Sequence, residues 1–140
     1  MCLNLNPKFK KMVAKKDITC YKIVKKKNYG GCYMYEALIM MFFIYKLNII
    51  YSTMITMTHT PYTNRLVVNN GFHSFRTIQG LKKEAEYILM YHNSGILTDA
   101  VIVKCIIPKG SLYYVGHNDN YTPNYVSNQI VILNEIPNNK

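Results

Sequence analysis

Val101 to Leu133, VIVKCIIPKGSLYYVGHNDNYTPNYVSNQIVIL, is the stretch around which the rest of the chain is organised. Val101 to Ile107 is dense in β-branched residues and too short for an ordinary helix, so it reads as a buried strand. Pro108 ends it, because proline cannot donate to a ladder. Lys109-Gly110-Ser111 supplies a turn in which Gly110 is free to take positive φ. Leu112 to Val115 is a second strand, stopped by Gly116, and His117 to Asn124 is a polar loop. Val126 to Leu133 is a third strand, its Ile130 to Leu133 end apolar on both faces and therefore placed inside a sheet.

Working outward, Ile18 to Val24 alternates and reads as the first strand, followed by a turn through Lys25 to Gly31. Cys32 to Met57 has two readings. One is a helix over Met34 to Tyr45. The other is a strand over Met41 to Tyr45, a turn at Lys46 to Asn48 and a strand over Ile49 to Met57; β-branched density favours strand after Asn48. Leu66-Val67-Val68 is a short strand closed by Asn69-Asn70-Gly71. Arg76 to His92 is the clear helix, with Ile78, Leu81, Ala85, Ile88 and Leu89 on one face and Lys82, Lys83, Glu86 and Asn93 on the other. Thr77 or Ser74 is its N-cap, and Asn93-Ser94-Gly95 ends it. The sum is a single α+β domain over residues 18–137, with a mixed, largely antiparallel sheet and one main helix.

A chain of 140 residues buries enough surface to fold as one domain without disulfides or metal. About half of it is Phe, Tyr, Met, Ile, Asn or Lys, residues with AT-rich codons. That points to an AT-rich genome, such as that of a large DNA virus, a phage or an AT-rich bacterium. The net charge of +10 is uneven: residues 1–27 hold nine lysines against one acid, Asp17. Residues 1–17 are expected to form a basic N-terminal arm, with one helical turn around Phe9 to Ala14. The Lys8–Lys27 segment offers a surface for nucleic acid, or is simply solvated. Ala37 to Tyr45 is wholly apolar, but nine residues fall short of the roughly 20 that span a bilayer, so a membrane partner is not expected. The apolar surface of Ala37 to Met57 suits a protein contact instead. No secretory leader is expected, and the four cysteines show no zinc spacing, which suggests reduced thiols in a cytoplasmic (for a virus, host cytoplasmic) setting. Cys105 reads as an inert core residue.

Four groups of residues are candidates for chemistry. His73-Ser74 is read at a strand-to-helix junction, where backbone N–H groups and a dipole favour an anion; equally, Ser74 caps the helix and His73 packs locally. Lys22, beside Tyr21, presents a cation to a ligand or faces solvent. Ser127, Asn128 and Gln129 hydrogen-bond a base or ribose, or form a turn. Tyr113 and Tyr114 stack on a planar ligand or cover the sheet edge. No phosphate loop, dinucleotide fingerprint or nucleophile elbow occurs.

Tyr21-Lys22-Ile23, Gly71-Phe72-His73-Ser74-Phe75, Ile107-Pro108-Lys109-Gly110-Ser111 and Tyr125 to Ile132 together resemble a set of small uncharacterised proteins from phages, large viruses and bacteria, over most of the chain from Ile18 onward. More remotely, they resemble ADP-ribosyltransferases. That resemblance implies a cleft for NAD or another nucleotide-type ligand, active or degenerate, with Tyr21 and Phe75 flanking the site residues. Lys22 would replace the NAD-contacting Arg or His, His73 and Ser74 would match the second motif, and Gln129 would fall near the catalytic glutamate.

Overall fold

The computed structural model describes residues 3–5, 11–37, 44–59, 66–91, 99–117 and 123–137. Thirteen strands and one helix follow in chain order: β1 (Leu3–Leu5), β2 (Met12–Val13), β3 (Ile18–Tyr29), β4 (Cys32–Ala37), β5 (Ile44–Tyr45), β6 (Ile50–Ser52), β7 (Thr56–His59), β8 (Leu66–Asn70), β9 (Phe72–Phe75), α1 (Ile78–Tyr91), β10 (Ala100–Ile107), β11 (Leu112–His117), β12 (Pro123–Ser127) and β13 (Gln129–Glu135). They form one domain whose single sheet runs β6-β13-β10-β3-β9-β12-β11-β1-β8-β7, with β2 on β11, β4 on β3 and β5 on β4. Among the described residues every ladder is antiparallel, and the one parallel element is a bridge between Leu47 and Ile132.

The two ends of this path, β6 and β7, are consecutive in the chain with only residues 53–55 between them. Four Cα steps cover at most about 15 Å, so the sheet must bend until its ends lie close together. The bent sheet encloses the main core on one face: Cys20 and Val24 of β3, Val103, Cys105 and Ile107 of β10, Ile130 and Ile132 of β13, and Phe72 of β9, closed by Tyr35 and Tyr45. The helix α1 lies on the other face, against Ile23 and Ile102, with Leu81 fully buried and Lys82, Lys83 and Glu86 exposed. Leu81 against Lys82, Lys83 and Glu86 follows the amphipathic pattern of the sequence, Glu84 is buried as well, and the side chains of Ile88, Leu89 and Asn93 lie outside the described ones.

Several expectations are corrected. Val126 to Leu133 is two strands, because Asn128 bends the chain: its N–H donates to the Leu112 carbonyl at 3.0 Å and its Oδ1 accepts the Leu112 N–H at 2.9 Å. Gly116 does not stop β11, which runs to His117. The lysines Lys25 to Lys27 continue β3 rather than turning; the turn sits at Gly30-Gly31, both at positive φ. The helical reading of Met34 to Tyr45 fails where the chain is described, since Met34–Ala37 and Ile44–Tyr45 are strand. Residues 38–43 lie outside the described residues, as do 92–98 with the helix-ending Asn93-Ser94-Gly95. The strand reading after Asn48 holds as two short strands, β6 and β7.

The described parts of the basic segment join the sheet. Leu3–Leu5 pairs with both β8 and β11, and Met12–Val13 pairs with β11. Residues 11–14 are not helical, and Ala14 is buried with its N–H on the Ser111 carbonyl at 2.8 Å. An unpaired sheet edge recruits a nearby extended segment, and that long-range pairing overrides local propensity. Among the described residues no helix is long and apolar enough to cross a membrane.

Candidate functional site

The site is built where β9, β3 and β10 run side by side. On β3, Cys20 and Val24 are fully buried, and period-two alternation puts Lys22 between them on the same core-facing side. Lys22 therefore does not face solvent. The residue is half-buried, but its amine end is enclosed: Nζ donates to the His73 carbonyl and stands 5.8 Å from the centre of the Tyr45 ring. Burial pushes its pKa down, with the neighbouring Cys105 and Cys20 sulfurs opposing. No carboxylate pairs with it among the described residues.

Tyr21 is opposite Phe75, so Ser74 lies across from Lys22 on the same face. Ser74 is fully buried, and its Oγ has no hydrogen bond of ordinary geometry among the described residues. The Cys20 thiol is its polar neighbour. The expectation of a helix start at His73-Ser74 is corrected: both residues are inside β9, and the cap of α1 is Thr77, whose Oγ1 accepts the Gly80 N–H at 3.0 Å. No helix dipole acts on Ser74.

His73 points its ring to the opposite face from Ser74 by strand alternation. Burial, reinforced by the Lys22 charge, brings its pKa down to about 3. The folded protein holds this imidazole neutral, whereas the unfolded chain protonates it near its ordinary 6.5. Its stabilising contribution is therefore complete above pH 6.5 and lost as pH falls toward 3. Glu135 is also held below its ordinary 4.5, so its own loss begins only under that value. Between pH 6.5 and 4.5 the His73 effect comes before that of Glu135, and at about 1.4 kcal/mol per unit it amounts to roughly 2 kcal/mol. Urea melts across this window are expected to show that loss in the native protein and a nearly flat profile in His73→Gln.

Of the other expected site residues, Tyr113 shares the core and packs edge-to-face on Tyr125, ring centres 6.0 Å apart. Ser127 is buried with its Oγ on the Gln129 carbonyl at 2.9 Å, and Asn128 locks the bend to Leu112. Tyr21 and Phe75 pair on the face away from Lys22, and Tyr114 packs against Val126. Gln129 is not brought to Lys22. Through the ladders Val131 is level with Ile106 and Ile106 with Thr19, which leaves Gln129 five positions from Lys22 along the strands, about 16 Å. Its Oε1 accepts the Ser111 hydroxyl at 3.1 Å, tying the Gly110 turn to β13.

A second polar cluster, absent from the sequence reading, lies at the far end of β3. Lys26 Nζ is 2.7 Å from Glu135 Oε2, Tyr35 Oη donates to the same oxygen at 2.9 Å, and Lys26 stands 4.2 Å from the Tyr33 ring centre. Glu135 feels burial most, which would raise its pKa, but the bonds from Lys26 and Tyr35 hold it below the ordinary value. Burial, then the bond to Glu135, pushes Tyr35 up to about 12. Lys27 pairs with Glu36 at 2.7 Å. A hollow of about 670 Å³ adjoins this cluster, lined by Lys26, Lys27, Tyr29, Tyr33 and Asp99 among others. Alternation in β3 carried a usable signal for Cys20 and Lys22; nothing local connected Glu135 with Lys26, which are far apart in the chain.

No family model matches this chain, and no curated protein and no solved structure is similar to it.

Proposed function

We propose that this protein binds a nucleotide-type ligand, held by an anionic group at Lys22. The carrying observation is the enclosed Lys22 ammonium, which among the described residues lacks a carboxylate and lies across the β3–β9 boundary from the buried Ser74 hydroxyl. A buried cation beside a hydroxyl donor favours a phosphate, which accepts charge-assisted bonds from both. Tyr45 and Phe72 pack on the same face, with ring centres 6.2 Å apart, and make the surroundings of Lys22 apolar.

An ADP-ribosyltransferase-like cleft is the fold-level form of this proposal, with NAD among the ligands and a viral or phage-type accessory role as its setting. Lys22 and Ser74 on adjacent strands support it. The distance of Gln129 from Lys22 favours binding over transfer, since a transferase needs a carboxylate at the reacting centre.

A second reading puts the ligand in the hollow by Tyr29 and Tyr33, which are 44% and 59% exposed. It is the weaker one, because Lys26 and Lys27 already pair with Glu135 and Glu36. The same internal pairing reduces the charge that the Lys8–Lys27 segment offers to nucleic acid. The test is a thermal-shift and calorimetric screen of NAD, ADP-ribose, mononucleotides and short oligonucleotides. A ligand at a hundred times its Kd is expected to add about 2.7 kcal/mol. A shift from mononucleotides or NAD that survives Tyr33→Ala supports the Lys22 site; one lost in Tyr33→Ala moves it to the hollow. A shift from oligonucleotides alone, steeply weakened by salt, replaces the proposal with a nucleic-acid interface. No shift with any of them leaves the protein–protein contact reading.

A further inference from the structure

The two cysteines at the centre of the sheet face each other across one ladder. Cys20 and Cys105 are directly opposite one another in the β3–β10 ladder, both fully buried and both on the core face. Directly opposed residues of an antiparallel pair have Cα atoms about 4.5–5.5 Å apart. That lies inside the range of about 4.4–6.8 Å that a disulfide spans, so closing one asks for little backbone movement. Both are free thiols.

Their surroundings make them unequal. The opposed Cys105 thiol, together with the Ser74 hydroxyl and the Lys22 ammonium, favours the Cys20 thiolate against the opposing effect of burial. Burial first, and then the neighbouring Cys20, keep the Cys105 thiol protonated. Its Sγ donates a long bond, 3.8 Å, to the Val103 carbonyl. One sulfur is thus poised as nucleophile, with the other in contact as its partner.

We propose that Cys20 and Cys105 are a redox-responsive pair that closes into an intramolecular disulfide when the protein meets a small peroxide. Complete burial selects a small, neutral oxidant over a bulky disulfide such as an oxidised peptide thiol. The Cys20 thiolate attacks one peroxide oxygen, the O–O bond breaks, and the leaving oxygen departs as water after taking a proton. Cys20 is then a sulfenic acid. The Cys105 sulfur attacks it, the S–O bond breaks, and the departing hydroxide leaves as water with the Cys105 proton. Two thiols and one peroxide give one disulfide and two waters. The product staples β3 to β10 beside Lys22 and Ser74, and the inference does not depend on a ligand binding there.

The experiment treats the full-length protein with hydrogen peroxide, quenches it by alkylation in denaturant, and measures intact mass and the peptide map. The expected result is a loss of the mass of two hydrogens, protection of Cys20 and Cys105 from alkylation, a linked Cys20–Cys105 peptide and full reversal by dithiothreitol. A Cys2→Ser, Cys32→Ser variant, which keeps only the core pair, is expected to behave identically. The inference is overturned if that variant gains oxygen mass without a cross-link, or if both core thiols stay alkylatable after peroxide.

Discussion

Replacing Lys22 with methionine is expected to weaken binding of a phosphate-bearing ligand by about ten- to a hundredfold while leaving the fold intact. A bond between charged groups contributes about 1.5–3 kcal/mol, and each 1.4 kcal/mol is a factor of ten. The Lys22 amine is the cation on the core face beside Ser74, so its loss removes that bond entirely. Stability responds differently. Methionine has a similar length and no charge, so the desolvation that depresses the Lys22 pKa disappears. The bond to the His73 carbonyl disappears with it. These terms oppose, and the unfolding free energy is expected to stay within about 1 kcal/mol of the native value. A residue kept for packing would show the reverse pattern, a large stability loss and no specific binding defect. Calorimetric titration and urea melts on one preparation separate the two. Because the Lys22 charge is one of the causes lowering the His73 pKa, Lys22→Met is also expected to shrink the acid-sensitive window of His73.

Gly71→Ala is expected to cost about 2–5 kcal/mol, from backbone strain and overpacking together. Gly71 joins β8 to β9 at φ 144°, a region that L side chains avoid. A Cβ there would stand 2.5 Å from Val126 Cγ2, 3.5 Å from Ile55 Cγ1 and 3.6 Å from the Ser127 carbonyl. Val126 is fully buried, so it has no open direction in which to yield. Gly110, at φ 90° with nothing within 4 Å of where a methyl group would stand, isolates the backbone part alone. Gly110→Ala is therefore expected to cost only about 1–2 kcal/mol. Urea melts of both variants check the difference; equal losses would show that the contact with Val126 relaxes freely. The position matters for the site, since Gly71 sets where β9, and hence Ser74, lies against β3.

The strands themselves are largely legible in the sequence. Val101 to Ile107 and the Pro108-Gly110 turn, Ile18 to Val24, and the apolar face of α1 all follow from short-range chemistry. The candidate site is legible only in part. Lys22 and Ser74 stand out as candidates, and they do meet. Their meeting depends on the Tyr21–Phe75 register, a contact between residues more than fifty positions apart. Local reasoning misplaces one of them: Ser74 is no cap, because Phe72–Phe75 forms its own strand on β12 before the helix begins.

Local composition determined where this chain is extended, where it turns and which face of its helix is apolar, because propensity, alternation and glycine or proline punctuation act within a few residues. The tertiary structure alone decided which strands are neighbours. That choice drew Leu3–Leu5 and Met12–Val13 into the sheet, turned Lys22 inward, set Glu135 on Lys26, and put Cys105 opposite Cys20. The physical reason is that a strand satisfies its backbone hydrogen bonds with any suitable edge, so partner and register are selected by the fit of the whole core, which no local segment encodes.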